Sequence, residues 1–274
     1  MSWVRRQFPT RVIALIPIAI AINIALGYTV QTLLKLPIYL DSIGTILVGV
    51  LAGPIAGALT GILSNLIWQY APVIGGGTAG PFAVTAGVIG LLAGLWGYLG
   101  VYRPRPASGP RLYLAALIGA AVIALLAWRI YTIPSYGSDP SAGGYGPGVY
   151  AVIAVIGVVG VVAVGGFTLA RRDVSGAWVA IAGALTGIVA AIVSAPIAAY
   201  MFEGVTGSGT DLIVATLRQG GADVFNASLG QGLFSDPIDK TITSFVVFMI
   251  LASLSVRFLV RFPLGERLAG NRGG

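Results

Sequence analysis

Cysteine and histidine are both absent from this 274-residue chain. Without thiols there is no disulfide, no thiolate nucleophile and no sulfur-bound metal. Without imidazole the most common proton shuttle and nitrogen ligand are gone as well. Charge is scarce, with 9 acidic and 16 basic residues making up 9% of the chain. There is no GxxxxGK[ST] loop, so the chain lacks the means to hydrolyse ATP itself. No apolar run carries the repeated buried acids of an ion relay. Outer carboxylates could serve as acid and base, but for want of a nucleophile or metal set the sequence does not read as an enzyme, and no cofactor or metal is expected.

What is present is apolar: 57% of the residues, with 40 glycines and a mean hydropathy of +0.92. Such a chain reads as lipid-embedded, and long continuous runs, rather than alternating ones, favour helices over a barrel. The net charge of +7 would suggest a nucleic-acid partner in a soluble protein. Here the arginines stand at the ends of apolar runs, where they orient spans, and no nucleic-acid partner is expected. Met1–Arg11 and the run behind it faintly resemble a signal peptide. The run Val12–Leu34 is too long for one and lacks a clear small-residue cleavage site, so it is taken as the first span.

The expected spans are Val12–Leu34, Ile38–Ala52, Pro54–Ala71, Phe82–Tyr102, Leu112–Ile130, Val149–Ala170, Ala177–Phe202 and Ile238–Val260. The second and third form a hairpin broken at Gly53-Pro54, since proline suits a helix start and not its interior. With that break, most of the basic residues share one side, among them Arg5, Arg6, Arg11, Arg103, Arg105, Arg111, Arg171, Arg172, Arg257 and Arg261, along with Arg267 and Arg272. Lys35, Arg129, Arg218 and Lys240 fall opposite. Merging the hairpin would spoil the asymmetry. The expectation is therefore an all-α membrane protein, a compact bundle of about eight transmembrane helices, both termini cytoplasmic, in a prokaryotic plasma membrane.

Acidic residues sort to the outer side: Asp41, Asp139, Glu203, Asp211, Asp223, Asp236 and Asp239, leaving only Asp173 and Glu266 inside. The long outer connection Glu203–Pro237 holds a Gly/Ser/Thr-rich stretch and a short helix expected over Asp211–Gln219. Tyr136–Gly148 reads as a flexible connector. Glycines recur at four-residue spacing (Gly49, Gly53, Gly57, Gly61; Gly90, Gly94; Gly183, Gly187), which allows close helix packing. The heptapeptide Ala-Gly-Ala-Leu-Thr-Gly-Ile occurs at 56–62 and 182–188. Because its flanks do not match, shared packing chemistry explains it better than a structural repeat.

Several residues are candidates for binding a solute. In Lys35-Leu-Pro-Ile-Tyr-Leu-Asp-Ser42, Tyr39 and Asp41 fit a lid; equally, Asp41 or Ser42 fits a helix cap and Tyr39 the interfacial aromatic belt. Asn65, Trp68 and Gln69 share one helical face, suited either to a cavity or to interhelical hydrogen bonds. Asp236-Pro-Ile-Asp239 reads as a helix start with Asp236 as N-cap. Lys240 behind it stands where a solute's anionic group would meet it, and Glu203, Thr206, Thr210 and Asp211 face the same compartment. Together they would line one outward-facing pocket. Asn226-Ala-Ser228 fits a glycosylation triplet, a pattern too common to weigh.

The chain resembles the substrate-binding S subunits of energy-coupling factor (ECF) transporters. The resemblance rests on Leu40-Asp-Ser-Ile-Gly-Thr-Ile-Leu-Val-Gly-Val-Leu-Ala-Gly-Pro-Ile-Ala-Gly-Ala-Leu-Thr-Gly61 with Ser64-Asn65. It extends to Ser194-Ala-Pro-Ile197, Phe202-Glu-Gly-Val-Thr-Gly-Ser-Gly-Thr-Asp211 and Ser235-Asp-Pro-Ile-Asp-Lys240. It covers 11–102 and 177–262 as a six-helix core, and makes 112–170 an inserted transmembrane hairpin within a single membrane domain. The resemblance implies uptake of a vitamin or related micronutrient from the outer side, gated by the connection after the first span. It also implies a membrane T-subunit scaffold and two ATPase subunits as partners. Docking on the scaffold through small first-helix residues would fall to Ala14, Ala21 and Ala25. The alternative is a ligand-sensing membrane module without transport activity, which would be expected to carry a soluble output domain.

Overall fold

A computed structural model describes residues 3–71, 77–136 and 147–270, with side chains between 126 and 156 described only in part. Most of the connector expected at Tyr136–Gly148, including Asp139, lies outside the described residues, as does Arg272. The described chain is helical, with one isolated antiparallel bridge between Pro106 and Asp173. Three helical stretches, Thr10–Leu33, Gly80–Tyr98 and Ser175–Phe202, are long and apolar enough to cross a membrane.

Helix α1 (Thr10–Gly27) starts after the extended Pro9 and runs on as a π turn over Tyr28–Leu33. Helices α2 (Ile43–Ala52) and α3 (Pro54–Tyr70) are separated at Gly53, whose φ of 121° only glycine adopts without strain. Pro54 occupies the first turn of α3, where its missing N–H costs nothing. The neighbouring orphan donors Ile55 N–H and Ala56 N–H find Gln7 Oε1 at 2.9 and 3.3 Å. A buried side chain from the N-terminal segment thus caps a helix some 48 residues away.

Helix α4 (Ala83–Tyr98) follows a short 3₁₀ turn at Gly80–Phe82. Then come α5 (Pro110–Tyr136), α6 (Pro147–Arg171), α7 (Ser175–Phe202), α8 (Asp211–Gln219) and α9 (Val224–Ser253). Short turns α10 (Val256–Leu259) and α11 (Gly265–Ala269) close the described chain.

Helix α2 begins at Ile43 rather than Ile38 and α9 ends at Ser253 rather than Val260, but the largest departure from the sequence expectation is the start of α9. The helix read as starting at Asp236 begins twelve residues earlier, at Val224, where Asp223 is the N-cap and its carboxylate accepts Asn226 N–H at 2.9 Å. The Asn226 amide and backbone N–H hold that carboxyl below the usual Asp range. Asp236 and Pro237 lie buried within the helix. The Asp-Pro pair satisfies the local rules for a helix start, yet the residues before it are helical, and two of the polar ones, Ser228 and Gln231, line a cavity.

Helix α7 runs along α9, α2–α4 form a tight trio, and α1 packs on α2 and α3. The contacts depend on missing side chains. A Cβ on Gly187 would stand 2.4 Å from Asp236 O and from Pro237; one on Gly90 would stand 2.2 Å from the Gly57 carbonyl carbon. The two copies of the repeated heptapeptide do the same work at different crossings, Gly57 and Gly61 against α4, Gly183 and Gly187 against α9.

Buried Asn23 ties α1 to α2 and α3. Its amide donates to Thr45 Oγ1 (2.8 Å) and Ser64 Oγ (2.9 Å), while its carbonyl accepts Gly44 N–H (2.7 Å). Helices α5 and α6 pair chiefly with each other. They reach the rest of the bundle partly through Phe167, whose ring stands edge-on to Phe248 at 5.3 Å.

Candidate functional site: a roofed polar cavity

At one end of the bundle three connections converge. Gly209, in the segment after α7, approaches the segment after α1 so closely that a Cβ there would lie 2.1 Å from Lys35 O. Tyr39 OH and Thr210 Oγ1 are 3.1 Å apart, and Thr78 Oγ1 donates to Thr206 O at 3.2 Å. Beneath this roof is a cavity of about 300 Å³. That volume lies at the lower end of the range for small-molecule sites.

The connection after α1 is the most constrained part of the roof. Asp239, with no solvent exposure, accepts the N–H groups of Tyr39 (3.1 Å) and Leu40 (2.7 Å) on Oδ1. Leu40 has φ of 51° and Lys35 φ of 47°, left-handed values that cost a side-chain-bearing residue energy. Lys240 donates to Asp239 Oδ2, to Ser42 Oγ (2.7 Å) and, more weakly, to Asp41 Oδ1 (3.5 Å). Gln31, in the π turn of α1, donates to Asp41 Oδ2 at 3.1 Å. Gln231 of α9 donates to Tyr39 OH (3.1 Å) and Ser235 Oγ (2.6 Å). Burial raises the Tyr39 phenol, with Asp236 adding to the effect, so Tyr39 remains a neutral hydrogen-bonding group.

Of the residues singled out from sequence, Tyr39, Asp41, Asn65, Trp68, Thr206 and Lys240 line the cavity. Thr210 supports it from behind through Tyr39 and Ser208. Asp211 shapes the roof, accepting Thr206 N–H, Thr206 Oγ1 and Gly207 N–H at 2.7–3.1 Å. Gln69 braces the segment after α3 through Gly80 N–H (2.7 Å) and Gly77 O (3.0 Å) and is not part of the lining. Glu203 sits elsewhere: it ends α7 in a left-handed conformation, exposed on the surface and outside the lining. Ala14, Ala21 and Ala25 are exposed on the outer face of α1, beside Ile18 and Ile22.

Capping at the start of α2 differs from the expectation. Ser42 takes the N-cap position without making the cap bond, because its hydroxyl is held by Lys240; the donor Gly44 N–H goes to Asn23 instead. Ser64 supplies the interhelical hydrogen bonding, leaving Asn65 and Trp68 to the cavity.

Sequence reasoning missed Gln31, Thr85, Ser228 and Gln231 as lining residues and took Asp236 for a cap. A glutamine inside an apolar run was a usable signal for Gln31, and Gln231 with Ser235 at i, i+4 for a polar helix face. Thr85 and Ser228 carry no motif.

Three lining residues hold buried polar atoms without a hydrogen-bond partner among the described residues: Trp68 Nε1, Thr85 Oγ1 and Ser228 Oγ. Gln7 Nε2, Tyr102 Oη and Thr243 Oγ1 are likewise unpartnered among the described residues, away from the cavity lining. Among the described residues no cluster of acidic side chains is arranged to hold a metal ion. Comparison with protein-family models, with curated proteins and with solved structures finds no match to this chain.

Proposed function

We propose that the chain is a membrane-embedded solute-capturing subunit of the ECF S type, taking up a vitamin-like micronutrient from the outer face of a prokaryotic plasma membrane. In this reading about eight helices cross the bilayer, both termini are cytoplasmic, and 112–170 is a hairpin added to a six-helix core. ATP is consumed by two ATPase subunits, joined to this chain by a T-subunit scaffold that docks on the Ala14, Ala21 and Ala25 face of α1.

One observation carries the reading: the roofed cavity, whose lining holds the unpartnered Trp68, Thr85 and Ser228 atoms. A bundle packed for stability alone would be expected to fill that volume. The roof strengthens the argument. The connection after α1 is held by Asp239, by contacts to the segment after α7, and by Leu36 and Ile38 clustered with Ile213, Phe234 and Ile238. Such a roof suits a site that must open to admit and release a solute.

The test is direct. The protein is purified in detergent from cells grown in rich medium, and small molecules released by denaturation are identified by mass spectrometry. A stoichiometric solute is expected, with retention falling about tenfold in Asn65→Ala. Release of nothing above a detergent blank removes the reading. Affinity purification of the tagged chain from its native membranes is expected to bring down a membrane scaffold and two ATPases.

A further inference from the structure

We infer that the captured solute carries a positive charge, an organic cation or protonated amine whose cationic group sits against Asp236. The inference rests on the solute-capture reading above and narrows its substrate class.

Four ionisable side chains meet at the α9 side of the cavity: Asp41, Asp236, Asp239 and Lys240. Three are carboxylates and one is an ammonium. Lys240 is fully engaged, paired to Asp239 and reaching Asp41, with Ser42 completing its donors. Asp239 is neutralised further by two backbone N–H groups. Asp41 receives the Gln31 amide as well as Lys240. Asp236 is left over. It is 5% exposed, lines the cavity, and has no cation within ion-pair distance among the described residues.

A carboxylate this buried is costly unless something offsets it. Among the described residues the nearest cation, Lys240, already pairs with two other carboxylates, so a carboxyl this buried either takes up a proton or keeps its charge by pairing with a cation in the cavity. A negatively charged solute would gain nothing from Asp236, and Lys240 has no free donor to offer it. A positively charged solute supplies the missing partner. The absence of a metal-holding cluster among the described residues points to an organic cation rather than a bound divalent ion.

The walls agree with this assignment. Tyr39, Trp68 and Phe82 are among the lining residues, and aromatic rings attract organic cations. Tyr39 already holds Lys240 Nζ at 5.9 Å from its ring centre. Trp68 Nε1–H, a donor without a partner, calls for an acceptor elsewhere on the same molecule. The solute class is therefore a compact cation bearing a separate hydrogen-bond acceptor.

The experiment uses the full chain and the solute it retains. After denaturing release, the molecule is identified and its charge at neutral pH assigned, and its rebinding is measured on the parent and on Asp236→Asn. A fixed or protonated nitrogen cation is expected, with rebinding weakened roughly thirtyfold in Asp236→Asn. A retained solute that is neutral or anionic overturns the inference and leaves solute capture standing. A cationic solute that rebinds equally well to parent and variant also overturns the assignment to Asp236. No retained solute at all overturns solute capture and the inference together. The charge assignment uses the unmodified protein, so misfolding of the variant would not shield the proposal.

Discussion

Asp239 Oδ1 accepts the backbone N–H groups of Tyr39 and Leu40, joining the middle of α9 to a connection 200 residues earlier in the chain. The same carboxylate pairs with Lys240 through its other oxygen. One buried side chain thus neutralises a lysine and fixes the most strained stretch of the cavity roof.

Replacing Asp239 by Ala should destabilise the folded protein by about 3–5 kcal/mol, because Lys240 would lose its main buried counter-charge. Removing both partners, in Asp239→Ala with Lys240→Met, should cost less than the single change, since no isolated charge remains. Thermal or denaturant unfolding in detergent checks both. Hydrogen exchange at residues 36–42 should rise in either variant.

Asn23→Ala should cost on the order of 2–3 kcal/mol, since Gly44 N–H loses its acceptor and Thr45 and Ser64 lose a donor inside the bundle. The loss should appear in unfolding measurements without altering the roof, because all four groups lie below it. Asn23→Leu, of similar size, tests whether shape alone suffices; an unchanged midpoint would refute the hydrogen-bonding account.

Gly187→Val should break the α7–α9 crossing, where even one added carbon meets backbone at 2.4 Å. Aggregation or a loss of monodispersity on size exclusion is the expected outcome. Gly166→Ala is the control, since nothing lies within 4 Å of the added carbon. Its stability should equal the parent's or exceed it by up to about 1 kcal/mol, from helix propensity alone.

Trp68→Phe removes an N–H and little volume. In the solute-free protein it should leave stability unchanged or slightly higher, because an unsatisfied buried donor is gone. Solute retention should fall roughly tenfold. A purely structural tryptophan would give the opposite pattern, lower stability and equal retention.

Much of the helical layout was legible in sequence. The break at Gly53-Pro54, the short helix at Asp211–Gln219 and the end of α7 at Phe202 follow from local chemistry: a positive-φ glycine, a first-turn proline, an amphipathic nine-residue stretch. Tyr39, Asp41, Asn65, Trp68 and Lys240 were legible as polar or aromatic residues in places where lipid or packing would not explain them. The start of α9 was not, because helix ends and cavity walls both look polar in sequence. Residues 224–237 contain Asn226, Gln231, Ser235 and Asp236, and only the tertiary arrangement turns some of these toward a cavity rather than water. The exposed position of Glu203 was likewise invisible, since it depends on how α7 ends and not on what precedes it.

Pro106 and Asp173 stand on facing strands of one small bridge, closed by Ala107 N–H to Arg172 O at 2.8 Å and Val174 N–H to Arg105 O at 3.1 Å. The chain therefore departs into α5 and returns from α6 through a single doorway. A limb attached in this way leaves the path of the remaining helices as if a tight turn stood in its place. None of the limb's described residues is among those lining the enclosed chamber, so substitutions on its outer surface would leave those walls as they are.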